Sequence, residues 1–385
     1  MTIKIMWLHS HVTNASGSSK FLYNVLKELS TKFEITLFVQ KAISVYDNFE
    51  KLPIKIVVMS DCSTSDLKFW FNFSSETKKQ KNILKKTSSN FDLVISSFFP
   101  MNFIAQDLKI KHLQFCFQPY AFFWDDELIN SLPFFKRNIL KYFKRKYSLF
   151  DILATKNSDI ILTINNGSQN AIKKIYDKNS IPTNMGIDIQ KIELPDNSLK
   201  LDYSKILLHS TDWSVLKNTI WLIEQFSIIQ KSFPDIALMI TETKIDSKEK
   251  NKAQKLIQRK NIKNVNFLGT LSTTDYVKYL NSADLVIYSG YGSGITTSLF
   301  VLECMGLGIP ALISEQASED IIHEKTGFIF KDSTQFHYYL KKLLEDDELR
   351  LHLGENAKKY VLEKHSWKNT ATIFEKNIFS LINNS

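Results

Sequence analysis

Residues 282–310 read SADLVIYSGYGSGITTSLFVLECMGLGIP, and this stretch decides the expected fold. The apolar run at 284–288 predicts a buried parallel strand, and Gly290, Gly292 and Gly294 predict a turn that can approach a ligand closely. The hydroxyls at 296–298 favour the start of a helix over 298–306, followed by a strand at 310–314. A strand, a glycine turn and a helix N-terminus together can bind an anion. The same pattern also fits an ordinary βαβ unit with a polar turn.

The alternation of strands and helices continues before and after this stretch. Strand patterns lie at 4–9, 34–39, 54–59, 92–96, 112–117, 159–163, 205–209, 237–241 and 265–268. Helical patterns lie at 21–29, 150–158, 168–176, 217–230, 247–259 and 274–281, and a final helical region at 346–383 has a break near 365–368. A polar stretch around Pro195 interrupts the pattern and indicates a linker. The chain is therefore predicted to be an α/β protein with two doubly wound parallel sheets facing across a cleft, where ligands bind beyond the carboxyl ends of the strands.

The composition is that of a folded protein in a reducing compartment. The chain has 385 residues, 44% of them hydrophobic and 12% aromatic, which suits two domains without low-complexity segments. Its cysteines, Cys62, Cys116 and Cys304, are odd in number and widely spaced, which indicates neither a disulfide framework nor a metal-ligand pattern. The N-terminal apolar segment is too short for a signal peptide, and no run reaches the ~18 apolar residues of a membrane span. A cytoplasmic location is expected.

The net charge of +9 is concentrated in one segment. Residues 134–150, FFKRNILKYFKRKYSLF, contain six basic residues and no acidic residue, interleaved with apolar side chains. This pattern predicts a basic amphipathic helix that could lie on an anionic membrane surface, such as the inner face of the cytoplasmic membrane. It fits equally well a surface helix whose apolar side faces the core and whose lysines are solvated. Nucleic acid is not an expected partner, because no binding motif accompanies the basic residues.

The order of these segments resembles a family 4 glycosyltransferase of the GT-B fold, within the glycosyl transferases group 1. The resemblance is carried by NSDIILTINNGSQNAIKKIYDKNSIPTNMGID at 157–188, VNFLGTLSTTDYVKYLNSADLVIYSG at 265–290, LECMGLGIPALIS at 302–314, SEDIIHEKTGFIF at 318–330 and FCFQPYAFFWDD at 115–126. It implies two Rossmann-like domains with the nucleotide-sugar donor between them. The domains implied are an acceptor-side domain at 1–190, with a C-terminal helix at 368–385 packing back on it, a linker at 191–203, and a donor-binding domain at 204–367.

The resemblance assigns Lys217 and Glu303 to the catalytic site. Lys217 matches a lysine that neutralises the donor diphosphate, so that the departing charge is stabilised without a metal ion. Glu303 matches the second acid of a family motif and would accept hydrogen bonds from the nucleotide ribose. Gly17 and Ser18 match a glycine loop that faces donor and acceptor. The other donor-binding residues surround the glycine turn: Gly294, Ile295, Thr296, Thr297, Ser298 and Leu299. Taken alone, Lys217 also fits a solvated lysine at a helix start, and Glu303 a helix-paired carboxylate.

Three positions depart from the family pattern. The first acid of the motif, eight positions before Glu303, is replaced by Ile295. An arginine expected five positions before the diphosphate lysine falls on Asp212, and a histidine expected in the aromatic loop falls on Phe117. These departures concern sugar recognition and the charge of the phosphate site.

The resemblance therefore implies a metal-independent, retaining transfer of a hexose, such as mannose or glucose, from a UDP or GDP sugar. The acceptor would be a glycan or a lipid-linked molecule in cell-surface polysaccharide or glycoconjugate synthesis, and no cofactor is expected. Front-face attack is favoured because the two-carboxylate geometry of glycosidases is not evident. A non-catalytic partner subunit of a glycan-assembly complex is the alternative. A sugar-nucleotide epimerase would need acid–base groups, for which His9 and His11 are the histidines at an N-terminal strand end.

Overall fold

The chain, analysed as a computed structural model, divides into two units, Met1–Gly186 together with Trp367–Ser385, and Ile187–Ser366. The structure describes residues 2–12, 17–42, 49–64, 66–193, 199–243, 248–291 and 297–383. Each unit is built on one sheet, and every strand pair within the described ranges is parallel.

The first unit contains a sheet with helices on both faces. Its strands are β1 (Lys4–Val12), β2 (Glu34–Ala42), β3 (Lys55–Val58), β4 (Leu93–Ser97), β5 (Lys111–Cys116), β6 (Ile160–Thr163) and β7 (Ile181–Pro182). Its helices are α1 (Gly17–Leu29), α2 (Leu67–Phe71), α3 (Phe73–Lys85), α4 (Met101–Ala105), α5 (Ala121–Trp124), α6 (Asp126–Ser131), α7 (Phe134–Lys156), α8 (Asn166–Tyr176) and α16 (Trp367–Asn383). The strand order is β3-β2-β1-β4-β5-β6-β7, so the sheet changes its winding direction between β1 and β4.

The centre of this sheet is apolar on both faces, as a parallel sheet between two helical layers requires. Ile5, Trp7 and Leu8 of β1 are fully buried. One face is covered by α16, whose Phe374 lies 5.6 Å from the Trp7 ring and 5.2 Å from the Phe115 ring, measured between centroids. The helix that follows the entire second unit in the chain therefore completes the core of the first.

The second unit repeats the architecture. Its strands are β8 (Lys205–Thr211), β9 (Ile236–Glu242), β10 (Val265–Phe267), β11 (Leu285–Tyr288), β12 (Ala311–Ser314) and β13 (Gly327–Phe330). Its helices are α9 (Ile189–Ile192), α10 (Thr219–Ile229), α11 (Lys248–Lys260), α12 (Thr273–Asn281), α13 (Leu299–Gly306), α14 (Ser333–Glu345) and α15 (Asp347–Lys364). The strand order is β10-β9-β8-β11-β12-β13, and the winding changes between β8 and β11.

Helix α13 is held in the interior of the second unit. Its residues from Phe300 to Gly306 are all buried, as expected of a helix that is apolar on every side. It ends at a turn in which Gly308 has φ +85°, a left-handed conformation that favours glycine. A Cβ atom at Gly354 of α15 would lie 1.9 Å from the Gly308 carbonyl oxygen. The absence of a side chain at Gly354 thus allows α15 to pack directly on the turn that leads into β12.

The predicted fold class of two parallel-sheet, Rossmann-like α/β units is confirmed, and most element bounds agree within two residues. The strand predicted at 284–288 is β11, the helix predicted at 298–306 is α13, and the predicted break near 365–368 separates α15 from α16. The basic segment 134–150 and the helix predicted at 150–158 form one helix, α7. The strands β7 and β13 and the short helices α2, α4, α5, α6 and α9 were not predicted, because segments this brief carry little periodicity. The longer helix α14 was also missed.

Two local predictions are wrong. Gly17 was predicted in a polar turn, whereas α1 begins there, and a Cβ atom at Gly17 would meet nothing within 4 Å. Lys217 was predicted to head a helix, whereas it ends a 3₁₀ turn, Val215–Lys217. Asn218, with φ 55°, then reverses the backbone, and α10 starts at Thr219. Asparagine tolerates this left-handed conformation better than most residues, which explains the late start of the helix.

Candidate functional site

The winding change of the second sheet places two loops beside each other. The segment after β8 and the segment after β11 leave the carboxyl ends of adjacent strands toward opposite faces, which is where open α/β sheets bind ligands. Lys217 lies in the first segment, and the glycine-containing sequence that begins at Gly290 follows Tyr288 in the second. The predicted donor-binding residues Gly294, Ile295 and Thr296 fall outside the described residues.

Lys217 is fixed at this point by the end of β11. Its Nζ donates a hydrogen bond to the Tyr288 hydroxyl over 2.6 Å and lies 5.0 Å from the centre of the Tyr288 ring. The Ser289 hydroxyl donates to the Lys217 carbonyl over 3.0 Å, and the Tyr291 amide donates to the Leu216 carbonyl over 2.9 Å. The sequence pattern did not reveal Tyr288 as a functional residue, although its place as the last strand residue before the glycine turn was visible.

The charge of Lys217 is retained in this environment. Burial lowers the pKa of Lys217, but the Tyr288 hydroxyl and the Asp212 carboxylate raise it, and the net shift is upward. The lysine is therefore cationic at neutral pH. A half-buried cation beside a helix and a strand end can stabilise an anionic ligand group more strongly than a solvated one.

The start of α13 was predicted to offer hydroxyls to a ligand, and the structure separates their roles. The Ser298 hydroxyl caps the helix by accepting a hydrogen bond from the Val301 amide over 3.3 Å, and Leu299 is the first helical residue. The buried Thr297 hydroxyl instead donates to the Ala317 carbonyl over 3.0 Å and accepts from the Asp320 amide over 3.1 Å. The Thr297 side chain therefore connects α13 to the segment after β12, and the prediction that its hydroxyl contacts a diphosphate is not supported.

Glu303 lies one turn further along α13 and is 3% exposed. Its Oε2 accepts a hydrogen bond from the Tyr276 hydroxyl of α12 over 2.6 Å. Burial, and then the Glu303 carboxylate, raise the pKa of Tyr276 well above its usual value, so Tyr276 remains a donor at neutral pH. Tyr276 thus sets the orientation of the carboxylate, a role that could not be predicted because the two residues come from separate elements.

A buried polar chain supports the end of β8. His209 Nδ1 lies 3.0 Å from the Ile287 carbonyl oxygen, and its Nε2 lies 3.1 Å from the Thr219 hydroxyl. The Thr219 and Thr211 hydroxyl oxygens are 2.8 Å apart. Burial lowers the pKa of His209 to about 4, so the imidazole is neutral at physiological pH. This chain connects β8, β11 and the start of α10 and fixes the strand end from which the Lys217 segment departs.

Asp212, which replaces the expected arginine, has a local structural role. Its Oδ1 accepts a hydrogen bond from the Ser214 amide over 2.8 Å. Its carboxylate also raises the pKa of Lys217, as described above. The segment therefore carries a lysine with an acidic neighbour in place of the two cations that the resemblance implied.

The first unit has a cavity at its own winding change. The cavity encloses about 240 Å³ and is lined by His9, Ser10, Ser18, Thr64, Phe98, Phe99, Tyr120 and Phe122. Ser18, predicted to face the donor and acceptor, contributes from the first turn of α1, whereas Gly17 is not among the lining residues. His9 and Ser10 come from the carboxyl half of β1, and both are buried. The cavity combines aromatic walls with hydroxyls and one imidazole.

The aromatic walls belong to a larger cluster behind the cavity. Trp70 of α2 contacts Phe99 and Tyr120, with ring centroids 6.3 and 5.9 Å apart. Trp70 also stacks on Phe143 of α7 at 5.5 Å. Phe117, which replaces the expected histidine, is buried and stacks on Phe98 at 4.6 Å. The position expected to carry an imidazole thus contributes an apolar ring to the packing.

A buried carboxylate anchors the aromatic segment 118–127 to α7. Asp151 accepts hydrogen bonds from Trp124 Nε1 over 2.9 Å, from the Tyr176 hydroxyl over 2.7 Å and from Asn102 Nδ2 over 3.1 Å. Burial raises the pKa of Asp151, and the hydrogen bonds from these three donors oppose that rise. Four elements are joined through this one side chain.

A small group of potential metal ligands lies elsewhere in the first unit. The ligand atoms of Asp61, Cys62 and Glu76 are within 4.8 Å of one another. Burial raises the pKa of the Cys62 thiol, which disfavours the thiolate that binds metals. Acidic groups near a surface commonly gather without an ion, and we assign no metal to this group.

Comparison with known proteins finds a family model that matches most of the second unit. Residues 190–360 match the family model described as "Glycosyl transferases group 1". An uncharacterized glycosyltransferase of Methanocaldococcus jannaschii is 27% identical over 259 residues, which are 64% of this chain and 64% of that protein. The capsular polysaccharide biosynthesis glycosyltransferase CapM of Staphylococcus aureus is 24% identical over 258 residues, 62% of this chain and 64% of that protein. The chain therefore spans somewhat less than two thirds of the length of these curated relatives.

Solved structures show the same fold at low sequence identity. HepE of Anabaena, in a complex with UDP and glucose, has a TM-score of 0.76 and 13% identity, covering 98% of this chain and all of that chain. The likeness shows that this chain has the same fold as HepE, with two parallel-sheet, Rossmann-like units.

Proposed function

We propose, from the premise that the chain carries a group 1 glycosyltransferase domain at residues 190–360, that it transfers a hexose from a UDP or GDP sugar. The transfer retains the configuration at the sugar and needs neither a metal ion nor another cofactor. The acceptor is a glycan or a lipid-linked molecule of cell-surface polysaccharide or glycoconjugate synthesis. HepE of Anabaena binds UDP and glucose, and CapM acts in capsular polysaccharide biosynthesis, which supports both parts of the proposal.

The observation that carries the proposal is the arrangement around the winding change of the second sheet. Lys217, held by Tyr288, is a cation beyond the ends of β8 and β11, and Glu303 is a buried carboxylate on the helix that follows the glycine turn. A cation stabilises the negative charge that develops on a departing diphosphate, and a carboxylate accepts hydrogen bonds from ribose hydroxyls. A cation after β8 and a carboxylate on the helix after β11 are groups that can bind the two polar parts of a nucleoside diphosphate, its phosphates and its ribose.

The proposal is tested by measuring binding, hydrolysis and transfer with UDP-glucose, UDP-galactose, GDP-mannose and ADP-glucose as donors. We expect one donor nucleotide to bind and its sugar to be hydrolysed slowly in the absence of an acceptor. Addition of EDTA should leave the rate unchanged. A protein that binds none of the four donors, and none of their nucleoside diphosphates, contradicts the proposal.

A second function is favoured by two of the replaced positions. Asp212 brings a negative charge to the Lys217 segment, and Phe117 provides an apolar ring where an imidazole was expected. A chain with these replacements could bind a nucleotide and serve as a non-catalytic partner in a glycan-assembly complex. Nucleotide binding without any hydrolysis or transfer in the same assays would favour this second function.

Peripheral contact with the inner face of a cytoplasmic membrane is part of the proposal. On α7, Phe134 and Phe135 are 71% and 76% exposed, and Tyr142 is 53% exposed, beside the exposed Lys136 and Lys141. Exposed rings with basic neighbours bind anionic lipid surfaces through burial and charge together. None of the helices in the described ranges has the length and apolarity needed to cross a membrane.

Sedimentation with vesicles tests this contact. Wild-type protein should bind vesicles of 30% phosphatidylserine and not vesicles of phosphatidylcholine alone. The double substitution Phe134→Ser and Phe135→Ser should weaken binding, whereas Tyr338→Ser, which changes a 56% exposed ring of α14, should not. Equal binding to both vesicle types, or an unchanged double variant, would exclude α7 as the contact.

A further inference from the structure

A buried ion pair at the carboxyl ends of the second sheet lies outside the predicted site. Glu242 is the last residue of β9, and its side chain is fully buried. A buried charge is costly unless it is paired and hydrogen-bonded. Lys250 of α11 provides the counter-charge, with its Nζ 2.7 Å from Glu242 Oε1, and the Lys250 side chain is itself only 14% exposed.

The Glu242 carboxylate also accepts hydrogen bonds from two other segments. Trp213 Nε1 donates to Oε1 over 2.7 Å, and the Gly269 amide donates to Oε2 over 2.9 Å. Trp213 belongs to the segment after β8, and Gly269 to the segment after β10. The indole also packs edge-on against Phe267 at 5.3 Å. One carboxylate therefore joins the exits of three adjacent strands and the following helix.

Trp213 is held in a conformation that it would not adopt alone. Its φ is +58°, in the left-handed region, where a bulky residue is strained. Two contacts oppose this strain: the indole hydrogen bond to Glu242 and a hydrogen bond from the Trp213 amide to the Thr211 hydroxyl, 2.9 Å long. The left-handed turn redirects the chain immediately before the 3₁₀ turn that carries Lys217.

The path from Trp213 to Lys217 is four residues long and contains two local hydrogen bonds. The Ser214 amide donates to Asp212 Oδ1, and the Lys217 amide donates to the Ser214 carbonyl over 3.1 Å. At its other end the turn is fixed to β11 through Tyr288 and Ser289. The segment that carries Lys217 is therefore held at two ends, by Trp213 and by β11. A change in the Trp213 backbone conformation displaces the first of them.

We infer that Glu242 is a positioning residue, which acts through the indole of Trp213 to hold Lys217 where it can contact the diphosphate of a donor. The inference rests on the proposed function for the identity of the ligand. The contacts of Glu242, Trp213 and Lys217 do not depend on that function. Glu242 does not touch the ligand in this scheme. Lys250 Nζ, 2.7 Å from Glu242 Oε1, compensates the charge of the carboxylate, and a hydrogen bond to a carboxylate is stronger than one to a neutral acceptor.

The first arm of the test needs no ligand. Trp213→Phe removes the indole donor and retains a ring, and Glu242→Gln removes the charge with little change in shape. Hydrogen exchange at the Lys217 and Asn218 amides should accelerate roughly tenfold in both variants, because a hydrogen bond to a charged group contributes about that much. Trp221→Phe, in which the changed ring stacks on Phe330 at 5.6 Å, is the matched control and should leave these amides unchanged. Unchanged exchange in both test variants overturns the inference.

The second arm is a double-mutant cycle on UDP and GDP binding. Trp213→Phe should weaken binding of the preferred diphosphate roughly tenfold in the wild-type background and not at all in a Lys217→Ala background. A loss of equal size in both backgrounds would mean that Trp213 acts independently of Lys217, which overturns the inference. A wild-type protein that binds neither diphosphate contradicts the proposed function instead, and the exchange measurement then decides the positioning role by itself.

Discussion

The two sheets wind in the same order around their centres, β3-β2-β1-β4-β5 in the first unit and β10-β9-β8-β11-β12 in the second, yet their winding changes are lined differently. Beyond β1 and β4 the first unit has a cavity of rings, hydroxyls and the His9 imidazole, and none of its described lining residues is a lysine or an arginine. Beyond β8 and β11 the second unit has the cationic Lys217, a phenol and a capped helix start. The strand order determines where a ligand can bind in each unit. The residues that follow each strand determine whether that ligand is neutral or anionic.

Lys217→Ala is the substitution expected to have the largest effect, and it tests whether the winding change of the second unit is the anion site. Removal of the cation should lower the transfer or hydrolysis rate about 10²- to 10³-fold, because a preorganised group that stabilises transition-state charge typically contributes this much. Steady-state kinetics with the preferred donor measures the effect. Lys341→Ala, which changes a 59% exposed lysine of α14, is the control and should behave as wild type. If Lys217→Ala keeps full activity, the second winding change is not the anion site.

The next effect concerns a property that the two units share. Burial lowers the pKa of His112 in the first unit and of His209 in the second to about 4 each. Since an unfolded histidine titrates near 6.5, the unfolded chain binds more protons between those values, and stability falls as pH drops from about 6.5 to about 4. At pH 5 each histidine should cost about 2 kcal/mol relative to neutral pH.

Chemical denaturation from pH 7 to pH 4.5 measures this loss. His209→Gln should reduce the pH dependence for the second unit, and His112→Gln that for the first. The exposed His352 of α15, changed to Gln, is the matched control and should leave the slope as in wild type. A slope unaffected by either buried substitution would show that acid unfolding has another origin.

An effect of comparable size concerns the buried carboxylate of Glu303 in the second unit. Tyr276→Phe removes one hydrogen-bond donor from the buried Glu303 and should lower the free energy of unfolding by about 1.5–3 kcal/mol. Urea denaturation measures the change, and Tyr279→Phe on the same helix provides the control. We also expect weaker nucleotide binding, since the carboxylate loses its fixed orientation. A stable variant with unchanged nucleotide affinity would remove Glu303 from the candidate site.

The smallest effect is an expected absence of change. Phe122→Ala enlarges the cavity of the first unit and should leave the affinity for UDP and GDP within about twofold of wild type, because an aromatic lining without cations contributes little to diphosphate binding. Isothermal titration calorimetry measures both affinities. A marked loss of affinity would mean that the first unit takes part in nucleotide binding, and the contrast between the two winding changes would have to be abandoned.

The sequence predicted what depends on local periodicity and missed what depends on contacts between distant segments. Buried parallel strands such as β11 are recognisable because they are short apolar runs. The role of the Thr297 hydroxyl could not be predicted, because its partners, the Ala317 carbonyl and the Asp320 amide, lie 20 and 23 residues later in the sequence. Tyr276 and Trp213 were missed for the same reason. Each donates to a carboxylate in another element, Glu303 or Glu242, so that its function is defined only once the sheet has formed.

The backbone conformation of single residues was the other limit. Asn218 turns the chain with a positive φ between Lys217 and α10, and a helical pattern does not report such a reversal. Gly17 shows the opposite error, because glycine suggested a loop where α1 in fact begins. Propensity is a weak guide at the ends of helices, where capping and tertiary contacts decide the boundary.

The position of α16 has a consequence for synthesis of the protein on the ribosome. Phe374 covers Trp7 and Phe115 of the first sheet, but it is translated only after the whole of residues 187–366. At about 5–20 residues per second, the first sheet would wait on the order of ten to forty seconds with this face covered by α1 but not by α16. The second unit is continuous in sequence and can fold during that interval. The nascent chain is therefore expected to complete its later domain first, and to expose the apolar side chains that Phe374 covers to chaperones until α16 emerges.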